Sequence, residues 1–361
     1  MRILDRYILK ETIYTFLFGI CAFTAVFVGS GTLFRIARYI TEYGASVSAV
    51  IRLFLFSMPS IVVWTFPMSM LLATLLTFGR LSGSSEITAM KSCGIGFQRI
   101  AMPVVIMSFF VSLFAIAFSE YVVPWANEAY NRTVRYEIQG NTAPQSQDHI
   151  IVKEIQDGEI QRLVYARRYD ATTGRMQGVS MQDFVGGKLC RVENAEYAEW
   201  QSDQWMMHNG ILYDISEGET ERTIRFDTQK LPIKKNPKQI LQEQKDPEEL
   251  TMKELRAQIQ IMKSQYIDTR KLETVLYQRI TIPMASLVFA MIGIPLGMQP
   301  NRSSSSIGFG LSIIIIFVYY TIMTLSSAIG QGGLLQPAYA VWIPNLVGML
   351  AGAYLLNKAA K

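Results

Sequence analysis

Between Glu11 and Arg35 the chain runs for 23 residues without an Asp, Glu, Lys or Arg. Four further stretches of this kind follow. They span 27 residues between Arg52 and Arg80, 20 between Arg99 and Glu120, 22 between Arg279 and Arg302, and 55 between Arg302 and Lys358. A bilayer core of roughly 30 Å takes about 20 apolar residues as a helix. The last stretch is too long for one helix, and Gly330-Gln331-Gly332-Gly333 with Pro337 divides it. Six spans are therefore expected, near residues 12–34, 54–79, 100–119, 280–299, 307–329 and 338–357. The first is too long for a signal-peptide apolar core and has no A-x-A site after it, so it is expected to remain as a span.

Charge divides the chain in the same way. Residues 120–279 hold 22 Lys/Arg and 25 Asp/Glu, whereas all other positions hold 12 and 4. A water-soluble, slightly acidic domain is thus inserted into an apolar body. The net charge of +5 does not indicate nucleic-acid binding, because the excess lies beside apolar segments. Short loops set orientation by their Lys and Arg content. With the N-terminus inside, the inner side carries Arg2, Arg6, Lys10, Arg80, Lys91, Arg99, Arg302, Lys358 and Lys361. The outer side carries Arg35, Arg38 and Arg52. Both termini are expected in the cytoplasm and the inserted domain outside. Cys190 is the only cysteine of that domain, so no disulfide can form within it.

From His149 to Ile233 the pattern has period two. Runs at His149–Ile155, Gln161–Tyr169, Gly178–Phe184, Leu189–Trp200, Trp205–Ile215 and Thr223–Ile233 are rich in Val, Ile, Tyr and Phe. Turn clusters at Asp170–Gly174, Gly186-Gly187, Gln201–Asp203 and Ser216–Gly218 separate them. Such spacing predicts an antiparallel sandwich or open roll. Thr251 and Glu254 form a capping-box pair before a helix, and Asp268 is placed to cap the helix leading into span four. His149 and His208, the only histidines, read as ordinary exposed or hydrogen-bonded residues. No metal-ligand spacing, G-x-S-x-G or H-E-x-x-H occurs. An apolar-lined roll can hold something greasy.

Two sets of residues stand out. In the loop 80–99, Ser84 can cap a short helix, Glu86 falls in its first turn, Lys91 in its last, and Gly94 at the C′ position. A helix that short needs a surface to lie against. It reads either as an interfacial connector or as a docking helix, with Glu86, the loop's sole acid, offered to a basic residue of a cytoplasmic partner. Arg35 and Arg38 lie three residues apart, on one helix face, at the outer end of span one. They read as snorkelling anchors or as ligands for the phosphate of an anionic lipid. No nucleotide motif occurs, so powered transport would need a separate ATPase. From the residues alone three readings stay open: a permease exporting an amphiphile, a scaffold displaying a β domain, and a membrane enzyme acting on lipid.

Three stretches carry a family resemblance. The first is Pro67-Met68, Leu71 to Thr74, Gly79-Arg80-Leu81-Ser82, Glu86, Ala89, Gly94 and Pro103. The second is Ser119-Glu120, Pro124 and Ala126-Asn127. The third is Pro283, Ile294-Pro295, Gly308, Tyr319-Tyr320, Gly330–Gly333 and Trp342 to Asn345. In this order and spacing the chain resembles the LptF/LptG (YjgP/YjgQ) permeases of lipopolysaccharide export. The resemblance implies an α-helical membrane protein of six transmembrane helices with an inserted periplasmic β-jellyroll. Residues 1–119 would form spans one to three with a coupling helix near 82–94, 120–279 the jellyroll with flanking helices, and 280–361 the last three spans. It further implies a second LptF/LptG-type permease, a paralogue or this chain itself, above a dimer of the ATPase LptB. No cofactor is implied in this chain; ATP and Mg belong to LptB. Lipopolysaccharide would leave the outer leaflet of the inner membrane, enter the jellyroll and pass to LptC/LptA-like periplasmic jellyrolls. Glu86, with Arg80 and Lys91, would couple to the ATPase. Arg35 and Arg38 fall near basic residues that contact lipid A phosphates. The turn Gln299–Ser306 is less basic than the family pattern.

Overall fold

The computed structural model describes residues 3–138, 146–156, 159–185, 188–216, 219–233, 235–237, 240, 246–264, 268–298 and 305–360. Several sequence expectations fall outside them: Arg2, the Gly186-Gly187 turn, 217–218 of the Ser216–Gly218 turn, Arg302 with most of the turn 299–306, and Lys361. The chain forms two compact units. One is Met1–Gly140 with Pro247–Lys361, and the other is Asn141–Asp246.

The first unit is helical, and each apolar stretch lies in a helix long enough to cross a membrane. The helices are α1 (Ile3–Phe27), α2 (Leu33–Tyr43), α3 (Val47–Gly83), α4 (Glu86–Ser92), α5 (Phe97–Thr133), α6 (Met252–Ser264), α7 (Arg270–Gly297), α8 (Ser305–Gln331) and α9 (Pro337–Ala360). A five-residue π-helix, Val28–Thr32, joins α1 to α2, so one helical rod runs from Ile3 to Tyr43. The helices outrun the charge-free stretches. α5 continues past Glu120 to Thr133, and α7 begins at Arg270, so the β unit is narrower than residues 120–279.

α3 and α7 are the buried centre of this unit, while α1 and α8 expose most of their apolar surface. Close approach explains the centre. A Cβ on Gly293 of α7 would sit 2.0 Å from Thr74 Oγ1 of α3, and one on Gly348 of α9 would sit 2.3 Å from Val288 of α7. Lipid does not drive helices together as water does, so small residues that bring backbones close supply the packing. Some polar groups are paired across it. Tyr319 donates to Asn345 Oδ1 at 2.8 Å, and Asn345 Nδ2 donates to the Thr281 carbonyl at 2.8 Å, joining α7, α8 and α9. Backbone amides and side chains also hold the segment before α6. Glu120 accepts from the Met252 amide at 3.0 and 3.1 Å, and Arg279 donates to the carbonyls of Pro247 and Leu250. Thr251 and Glu254 form the reciprocal capping box. Asp268 accepts from the Arg270 amide, with Thr269 as the N-cap residue.

The second unit is one six-stranded antiparallel sheet. Its strands are β1 (Gln147–Gln156), β2 (Glu159–Asp170), β3 (Arg175–Val185), β4 (Lys188–Gln201), β5 (Gln204–Ser216) and β6 (Glu219–Leu231). They lie in chain order, β1 to β6. This fits the open-roll alternative, as a meander in which every spatial neighbour is a sequence neighbour. Ser202 and Asp203 both have positive φ, which gives the two-residue hairpin turn matching strand twist. One face is the core, built on Ile150, Val164, Met176, Met181, Ala198, Trp205 and Met207. The Phe226 ring lies over Gly210, where a Cβ would be 2.1 Å from its edge. His149 pairs with the Tyr165 hydroxyl at 2.7 Å, and His208 stacks on Tyr197 at 4.8 Å.

Candidate functional site

α4 has only seven residues, and Ile87 is its buried member. Nucleation is costly, so a helix of that length holds its place by what surrounds it. Its C-terminus closes as a Schellman motif. Gly94 adopts φ +80°, its amide donates to Lys91 O, and the Ile95 amide donates to Met90 O. The N-terminus departs from the sequence expectation. Ser85, not Ser84, is the N-cap residue, and its side chain makes no capping bond. Ser84 instead ends α3, with its hydroxyl 2.9 Å from Arg80 O and 2.8 Å from Glu86 Oε1, two acceptors for one proton. Of the two acceptors the carboxylate is the stronger, and it draws the hydroxyl proton.

Glu86 is the hub of a small polar network. Tyr7 donates to its Oε2 at 2.8 Å, and Arg80 Nη1 lies 3.4 Å from Oε1. Arg80 also reaches Tyr7 Oη at 3.1 Å and Glu11 Oε1 at 2.9 Å. Nearby, Asp5 and Arg99 pair at 2.7 Å and fix the start of α5 against α1. Partial burial raises the Glu86 pKa, but the bonds from Ser84 and Tyr7 and the charge of Arg80 outweigh it and hold the carboxyl below its ordinary value. Glu86 is therefore an anion at neutral pH, and its side chain remains 33% exposed. Lys91 is exposed at the other end of α4, with its ammonium 5.7 Å from the Phe97 ring. The structure thus brings Arg80 and Glu86 into contact, while Lys91 stays apart from the network.

Sequence reasoning did not find Tyr7 and Glu11. A usable sign was present: only Asp5, Glu11, Glu42 and Glu86 are acidic outside residues 120–279. Each of the four pairs with an arginine, namely Arg99, Arg80, Arg38 and again Arg80. Acids that scarce beside a membrane are placed for a partner.

Arg35 and Arg38 lie on α2, both exposed, beside the buried Ile36 and the half-buried Tyr39. Arg38 makes a loose pair with Glu42 at 3.8 Å. Arg35 has no acidic partner within 4 Å among the described residues. The third basic residue of that loop, Arg52, is held by Glu137 in a fork of two bonds at 2.9 and 2.5 Å. Arg35 and the loosely paired Arg38 are thus exposed, whereas Arg52 is held in the fork.

The match to known proteins covers the whole arrangement. Residues 6–358 fit the family model of the lipopolysaccharide export system permease LptF/LptG. The chain belongs to this family. It is similar to lipopolysaccharide export system permease protein LptF of Escherichia coli K12 and of Shigella flexneri. In each case 21% of 375 aligned residues are identical, covering 98% of this chain and 94% of the relative. Membership makes the chain a multi-pass inner-membrane permease of lipopolysaccharide export type, a transporter subunit working with other proteins of that system. The six candidate spans and the sheet inserted between the third and fourth accord with it.

Proposed function

We propose that the chain takes lipopolysaccharide from the outer leaflet of the inner membrane and passes it toward a periplasmic bridge of β-rich proteins, powered by a separate LptB-type ATPase. The termini and α4 face the cytoplasm, and the β unit faces the periplasm. A second LptF/LptG-type permease, either a paralogue or this chain, completes the pathway. Extraction is steeply uphill, because each buried acyl methylene is worth roughly 0.8 kcal/mol. The work must come from outside the chain, since it carries no nucleotide motif.

The observation that carries this reading is α4. It is a two-turn helix anchored by Ile87 and presenting an ionised, partly exposed Glu86. That suits contact with a cationic side chain of an ATPase. Arg35 and Arg38 supply two exposed guanidiniums, a geometry suited to lipid phosphates. The β unit would receive the acyl chains beyond the bilayer.

The test is co-expression with an LptB-type ATPase, with and without a second permease, followed by native mass spectrometry. A complex holding two ATPase copies and bound glycolipid is expected. A chain that recruits no ATPase in any pairing would refute the reading.

A further inference from the structure

We propose that Tyr7, on the first helix, is a positioning residue that orients Glu86 of α4 for contact with the docked ATPase. This rests on the docking reading above and adds to it a residue from a different element. The geometry of the carboxylate is the starting point. Its Oε1 accepts from Ser84 at 2.8 Å and from Arg80 at 3.4 Å, and its Oε2 accepts from Tyr7 at 2.8 Å. A carboxylate oxygen accepts about two hydrogen bonds. Oε1 is therefore filled, while Oε2 keeps one acceptor site on a side chain 33% exposed. Without the tyrosine hydroxyl the carboxylate can turn about its last torsion, which is broad for this side chain.

The frame behind Tyr7 is rigid. Ile8 beside it is fully buried, and Asp5 is tied to Arg99 at 2.7 Å. Glu11, one turn further along α1, fixes Arg80 at 2.9 Å, and Arg80 donates to Tyr7 Oη at 3.1 Å. Exposed ion pairs contribute about 0–1 kcal/mol to folding, so stability does not account for two elements converging on one guanidinium of a third. Orientation does. α4 has a single buried anchor, and the α1 network supplies the second point needed to fix where Glu86 aims.

The experiment titrates an LptB-type ATPase against the full permease pair in detergent, using wild type, Tyr7→Phe, Glu86→Ala and the double variant. Tyr7→Phe removes one hydroxyl and keeps the ring. We expect it to weaken ATPase binding by roughly fivefold. In the Glu86→Ala background the same change should have no further effect, because Tyr7 acts only through the carboxylate. No weakening in the wild-type background, or equal weakening in both, overturns the inference. Binding that Glu86→Ala leaves untouched overturns the docking reading itself. The two failures are therefore distinguishable.

Discussion

Glu193 is an acid on the core side of the β sheet. It is 1% exposed, in register with Met181 and Leu212, and accepts one hydrogen bond, from Gln229 at 2.9 Å. Burial, and then the charge of Asp183, push its pKa above the ordinary value of 4.5. A raised carboxyl pKa favours the fold fully below pH 4.5, and that contribution is lost as pH rises through the folded value. Once ionised, the buried Glu193 therefore destabilises the sheet. Glu193→Gln is expected to slow amide exchange in β4 and β5 at pH 7.5, with a gain that shrinks as pH falls toward 4.5. Faster exchange at pH 7.5 would show that the charge is needed where it stands. Arg35 and Arg38 make a residue-scale prediction of another kind. Both are exposed, so reversing them to Glu should leave the fold and ATPase recruitment intact while lowering co-purified glycolipid severalfold. Unchanged lipid content would remove them from the capture site.

Helices set the next scale. The rod from Ile3 to Tyr43 carries Tyr7 near one end and Arg35 and Arg38 near the other. Those positions are ~40 Å apart at 1.5 Å per residue, about the thickness of a bilayer. One element therefore touches both proposed sites. The α3–α7 contact depends on a glycine. Gly293→Ala would place a methyl 2.0 Å from Thr74 Oγ1 and 3.1 Å from its Cβ. Overpacking of this kind costs about 1–3 kcal/mol. The variant should melt at lower temperature in detergent, and Thr74→Ala added to it should restore part of the loss by removing the nearer atom. Equal melting of the single variant and wild type would mean that the two helices separate without cost. Motif residues acquire physical roles at this scale too. Asn345 and Tyr319 tie three helices, and Glu120 accepts from the first amide of α6.

For the whole molecule the open matter is orientation, and its own cysteines can report it. Cys93 is exposed just after α4, and Cys190 is half-buried in β4. A membrane-impermeant maleimide applied to cells with a permeable outer membrane should modify Cys190 and spare Cys93. Opening the inner membrane should then expose Cys93. The reverse order would invert the topology, and with it the side on which an ATPase could dock. The inner side is expected to carry nine Lys and Arg against three outside, and every outer one is an arginine.

The sequence by itself determined the spans, the inserted sheet and the existence of a short helix after span two. These follow from local quantities: charge-free length, period-two alternation, a glycine at C′. Their limits were set less well, because α5 and α7 run on through polar residues once neighbours supply packing. Strand order was not legible, since alternation says which residues are inside but not which strands are adjacent. The partners of Glu86 were hidden for the same reason. Tyr7 lies 79 positions away, and Arg80 is six away but shared with Glu11 of another helix. Ser84 looked like a cap because its spacing allowed it, and a nearby carboxylate took the hydroxyl instead. Local chemistry fixes what each segment can be. Only the packed helices decide which charges meet, because that depends on distances that no sequence interval contains.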